Sequence, residues 1–235
     1  MESDSDQATE GATGPATIVK VVMKKHLKAV GLALATVILA GCGGAVKYPN
    51  YYTLHLPPPP DPPAAENVRA TLAVREFRSP VYLRQGPIVY KRSPEQIGFY
   101  NYHRWAVDPR EFLTNAVTDR LRASGNFAQV RAYDGRSDVD YVLSGHLEEL
   151  NEIDYEGGVK VQVAISAQMV SLATGATVWT NSVSEVGTVS QRDVPAVVSA
   201  LNATMGRAIE KLLDPAPRPS SIEPGVSKAI VGALK

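Results

Sequence analysis

The sequence predicts an α+β fold, an antiparallel-rich sheet with two main helices packed on one face. Three observations carry that prediction. Residues 159–169 put an apolar side chain at every odd position, the period of a strand that buries one face. Val197, Val198, Leu201, Met205, Ile209 and Leu212 recur at helical spacing. Asp108-Pro109-Arg110-Glu111 opens a second helix, with an N-cap carboxylate, a proline at the first helical position and a glutamate at N3.

The remaining elements follow in chain order. Residues 51–56 are rich in β-formers and predict a first strand. Residues 57–63 hold six prolines, which enter neither a helix nor a central strand and predict a stiff spacer. Strands are expected at 71–77, 88–91 and 96–100, with Ser93-Pro94 turning between the last two. The helix that starts at Asp108 carries Phe112, Leu113, Ala116, Val117 and Leu121 on its apolar stripe and stops at Gly125. Residues 139–150 predict another strand. The 159–169 strand turns at Thr174-Gly175 and returns over 176–186. The second helix spans about 193–213. It ends at Asp214-Pro215, and residues 215–235 form a Pro-rich tail expected to be mobile.

Charge narrows the function. Over 235 residues, 24 Lys and Arg balance 24 Asp and Glu, so the cation surplus needed to bind phosphate backbones is missing and nucleic acid is excluded as the main partner. One cysteine leaves no internal disulfide and no cysteine-based zinc cluster. His26, His55, His103 and His146 show no ligand spacing.

The N-terminal segment points to export. Lys24, Lys25 and Lys28 precede an uncharged, mostly apolar run from 29 to 41, whose 13 residues fall short of the ~20 that a spanning helix needs. Leu39-Ala40-Gly41-Cys42 closes that run and resembles the lipobox of bacterial lipoproteins. The resemblance implies that Cys42 carries diacylglycerol on sulfur and, after cleavage, an N-acyl chain, with no other cofactor. Several buried acyl chains, at ~0.8 kcal/mol per CH₂, make a stable anchor. Gly43-Gly44 in place of an aspartate implies, by the same resemblance, sorting to the outer membrane. Glu2, Asp4, Asp6 and Glu10 do not fit a basic n-region, so translation is expected to begin at Met23, with 1–22 an extension. The expected organisation is a signal over 1–41, an anchored linker over 42–50, a domain over 51–214 and the tail. Cleavage leaves 235 − 41 = 194 residues.

Catalytic patterns are missing. The sequence contains no G-x-S-x-G, P-loop, G-x-G-x-x-G or H-E-x-x-H. Glu148, Glu149, Glu152, Asp154 and Glu156 do not follow calcium-loop spacing and are expected to be a solvated strand end. A non-enzyme is therefore expected. Residues 82–106 differ from the rest in gathering Tyr82, Tyr90, Phe99, Tyr100, Tyr102 and Trp105 with Arg84, Lys91, Arg92 and Arg104. That composition suits an interface hot spot and equally a small core. Tyr90, Arg92, Tyr100, Tyr102, Arg104 and Trp105 are the candidate partner-binding residues, with Trp105 expected inside and Tyr102 and Arg104 outside.

The lipobox, Tyr51-Tyr52-Thr53-Leu54, the block Ile88-Val89-Tyr90…Phe99-Tyr100…Arg104-Trp105-Ala106 and the capped helix after it together resemble the ABC-type transport auxiliary lipoprotein family over nearly all of 42–214. Val107-Asp108-Pro109 departs from the family pattern, where a second proline is expected at Asp108. The resemblance implies a periplasm-facing subunit that docks an MCE-domain protein at the outer membrane, served by an inner-membrane ABC permease and ATPase. A homo-oligomeric ring is also implied. A lipid-binding carrier and an envelope-assembly accessory lipoprotein remain as alternatives.

Overall fold

The computed structural model describes residues 47–61, 68–136, 138–155 and 157–219. The signal, Leu39, Ala40, Gly41, Cys42, most of the linker and the tail beyond residue 219 lie outside the described residues.

The expected α+β architecture is present, built on an eight-stranded mixed sheet. Strand β6 (Tyr141–Ile153) is its spine. Along one edge it runs antiparallel to all of β7 (Lys160–Ser171), which pairs in turn with β8 (Thr177–Thr188). Along the other edge β6 takes two short parallel partners in series: β2 (Thr71–Val74) at residues 141–143 and β3 (Pro87–Ser93) at residues 151–153. A parallel bridge from Arg78 to His146 lies between them. Strand β4 (Gln96–Trp105) is antiparallel to β3, and β1 (Asn50–Tyr52) is parallel to β4. The long ladders are thus antiparallel, while the joints that assemble them are parallel. Strand β5 (Gln129–Ala132), beside β2, was not expected, because four residues with one buried valine leave no alternation to read.

Both helices cover one face. Helix α1 (Pro109–Ala123) starts at Asp108, whose carboxylate accepts from the Arg110 amide at 2.9 Å and from the Arg110 guanidinium at 2.7 Å. Arg110, rather than the N3 glutamate of the expected capping box, answers the cap. Helix α2 (Val194–Leu212) starts at Asp193, which accepts from the Ala196 amide at 2.8 Å. The odd-numbered face of β7, from Val161 to Met169, is buried against Leu201, Met205, Ile209 and Leu212. Leu113, Val117 and Leu121 of α1 join the same core over Leu72, Val74 and Leu143. Phe77 packs onto Gly145, where an added Cβ would overlap its ring.

The described part of the proline run, residues 57–61, is placed differently from the expected spacer. The β1 ladder stops at Tyr52, but Leu54 and Leu56 keep the strand alternation and dock on the core. The His55 amide donates to Asn202 Oδ1 at 2.6 Å. Pro59 and Pro60 then line a cleft with Leu121 of α1 and Ile209 of α2. Proline carries no N–H to extend a ladder, so the segment straps the helices instead of standing away from them.

Candidate partner-docking site

The site is built by a register slip. Between β3 and β4, Pro87 faces Arg104 and Val89 faces Phe99. Two steps along β3 therefore match five along β4, and the three extra residues push Tyr100-Asn101-Tyr102-His103 out of the regular pleat. Such bulges re-aim side chains at sheet edges. Here the bulge gathers rings. Tyr90 and Tyr100 stand 5.0 Å apart, tilted by 59°, and His103 meets Tyr100 edge-on at 5.9 Å. Tyr52 of β1 stacks on His103, and its hydroxyl lies 2.9 Å from His103 Nδ1. Gly98 makes room for Tyr90, since a Cβ there would overlap the tip of the Tyr90 ring.

These residues enclose a cavity of about 340 Å³ lined by Tyr90, Arg92, Tyr100, Tyr102, Glu152 and Asp154, among others. Arg92 lies with its guanidinium carbon 5.2 Å from the centre of the Tyr90 ring, within cation–π range. Tyr102 is 41% exposed. Glu152 was expected to be solvated; the structure instead buries it at 5% exposure, with the Tyr100 hydroxyl donating to Oε2 at 2.8 Å. Burial raises its carboxyl above the ordinary value. The Tyr100 hydrogen bond pulls it back, Asp154 adds to the rise and Arg192 opposes it. The same burial, followed by the bond to Glu152, raises the Tyr100 hydroxyl.

Within the acidic run, Glu149 and Glu152 therefore depart from the expected solvated strand end, whereas Glu148 and Asp154 are exposed as expected and Glu156 lies outside the described residues. The sequence signal was present, because acids on a strand that is otherwise apolar have to find donors. Glu149 meets Lys91 Nζ at 2.6 Å, and the Tyr82 hydroxyl is pushed up to about 12 by burial and then by Glu149.

Four of the six candidate residues share the cavity and two do not. Arg104 turns its guanidinium to the Gln85 carbonyl at 2.8 Å, lying against Gly86, whose φ of 93° suits glycine. Trp105 is 6% exposed and belongs to the core. Chemically, the cavity offers flat aromatic walls, one cation and a buried acceptor, a combination suited to gripping a partner side chain. Among the described residues, no three His, Cys, Asp or Glu side chains group to hold a metal, and no helix is long and apolar enough to cross a membrane.

The sequence model of one family, described as the ABC-type transport auxiliary lipoprotein component, matches residues 52–212. Among solved structures, the chain is similar to protein XCC0632 of Xanthomonas campestris, at 18% identity and a TM-score of 0.60, covering 70% of this chain and 92% of that one. A second, uncharacterized protein shares 16% identity at a TM-score of 0.56, covering 72% of this chain and 99% of that one. The PelC dodecamer from Paraburkholderia phytofirmans matches at 21% identity and a TM-score of 0.43, over 68% of this chain and 95% of that one. No curated protein sequence matches the chain.

Proposed function

The chain belongs to the ABC-type transport auxiliary lipoprotein family, and from that premise we propose that it docks an MCE-domain partner at the outer membrane through the aromatic cavity around Glu152. Family membership makes it an auxiliary component of a transport system in the cell envelope. In the proposed arrangement Cys42 carries diacylglycerol and an N-acyl chain, and the domain faces the periplasm. The ABC permease and ATPase of the system consume the ATP. The protein performs no bond chemistry and uses no cofactor; it tethers and completes a path for lipid.

The observation that carries this reading is the position of the cavity on the chain. His103, one of its lining residues, pairs with Asn50 of β1. Asn50 is eight residues beyond Cys42, and eight residues reach at most about 26 Å at ~3.3 Å each. An acylated Cys42 therefore keeps the cavity close to the bilayer, where a partner arriving from the opposite membrane has to be caught. A photo-crosslinking residue at Tyr102 in intact envelopes tests the reading. Capture of an MCE protein supports it, and capture of cell-wall synthases alone ends it.

A further inference from the structure

The sheet face opposite the helices carries a second cavity, of about 520 Å³, independent of the docking site. Arg75 and Arg78 both line it. Among the described residues, no carboxylate pairs with either guanidinium and no acceptor takes a hydrogen bond from one. Arg75 stacks on Tyr133, its guanidinium carbon 4.4 Å from the ring centre, a contact that leaves its N–H edge open. Across the floor, His146 faces Ser166 and Ser144 faces Gln168 in the β6–β7 ladder; the Ser166 hydroxyl donates to Glu148 at 2.7 Å, which leaves the Ser144 hydroxyl and the Gln168 amide as donors beside the two cations. Glu76 also lines the cavity, but its carboxylate is drawn to Arg110 at 3.5 Å. Beyond the cations the floor turns apolar, with Val142, Val170 and Leu172, the last 37% exposed.

We propose that this open face binds the phosphodiester of a glycerophospholipid, with Arg75 and Arg78 on the phosphate and the Val142–Val170–Leu172 strip under the first carbons of the acyl chains. Guanidinium is the side chain whose fork of donors matches phosphate geometry. Two of them on one concave surface, against the single Glu76 carboxylate, give the cavity a net positive charge in a chain of zero net charge. The adjoining apolar strip and the cavity volume, much larger than an inorganic ion, select an amphiphile over free phosphate.

The test uses the full-length chain in neutral detergent, titrated by calorimetry with dihexanoylphosphatidylglycerol below its micelle concentration. Glycerophosphoglycerol and inorganic phosphate serve as separate probes. The short-chain lipid is expected to bind tightest and its bare headgroup more weakly. R75Q and R78Q each weaken lipid binding about tenfold or more, the size of one lost charge-assisted contact. Both side chains are exposed, so the variants keep the wild-type circular dichroism and melting temperature. Tyr102→Ala leaves lipid binding unchanged, which separates this site from the docking cavity. Inorganic phosphate binding as tightly as the lipid overturns the assignment, as does lipid binding that R75Q and R78Q both leave intact.

Discussion

The Tyr100 hydroxyl donates a 2.8 Å hydrogen bond to Glu152 Oε2, joining the bulged strand β4 to the spine of the sheet. This bond supplies a buried carboxylate with a donor and fixes one wall of the docking cavity. Tyr100→Phe keeps the ring and removes the donor. The variant is expected to lose about 1–3 kcal/mol in chemical denaturation at neutral pH, the cost of leaving a buried acceptor unpaired. An unchanged midpoint and slope would show that water replaces the hydroxyl there.

The pH dependence has a definite sign. The folded-state value of Glu152 lies above its ordinary value, so the folded protein holds a proton that the unfolded chain has already released. Stability contributed by this group is complete below the ordinary carboxylate value and falls as pH climbs through the raised one. Glu152→Gln removes the ionisation and keeps an oxygen for Tyr100. It is expected to melt higher than wild type at pH 7, with the gap closing below about pH 4. A lower melting temperature for Glu152→Gln at pH 7 contradicts this.

Two glycines separate a local from a global defect. The nearest atoms a Cβ on Gly98 meets belong to the tip of the half-buried Tyr90 ring, whereas one on Gly145 meets Phe77 and, at 2.6 Å, the Ser166 backbone oxygen. Gly98→Ala is expected to rotate Tyr90 out of the cavity, costing about 1 kcal/mol and reducing partner capture. Gly145→Ala has no flexible neighbour to displace and is expected to cost about 3 kcal/mol, at the upper end for overpacking. Thermal melts of the two variants, run beside crosslinking yields, distinguish the cases.

Trp105 and Tyr102 are three residues apart with opposite environments. Trp105→Ala is expected to destabilise the domain by about 3–5 kcal/mol through the cavity it leaves. Tyr102→Ala is expected to leave the fold intact and lower recovery of the partner. Unfolding by both variants would make the whole block a core element.

The anchor is tested on its own. Cys42→Ala is expected to abolish metabolic acyl labelling and to leave an uncleaved precursor by intact mass. Acyl label persisting on the variant would remove the basis for the membrane-proximal geometry.

Features governed by neighbours along the chain were legible in one dimension. The cap at Asp108, the alternating face of β7, the turn at Thr174-Gly175 and the apolar stripes of both helices depend on contacts a few residues apart, and their patterns can be read directly. Long-range pairing decided the rest. Which strands meet β6 in parallel, and whether a carboxylate at 152 meets water or a tyrosine at 100, depend on partners some fifty to seventy residues apart, while the slip of three residues in β4 is set by its pairing with β3 across the hairpin. The aromatic block shows the division. Its composition announced contact without saying with what, because period-2 alternation assigns faces only while the register is regular, and the slip at Tyr100–His103 falls inside the block. That slip puts Tyr90, Tyr100 and Tyr102 around Glu152 and sends Arg104 and Trp105 elsewhere.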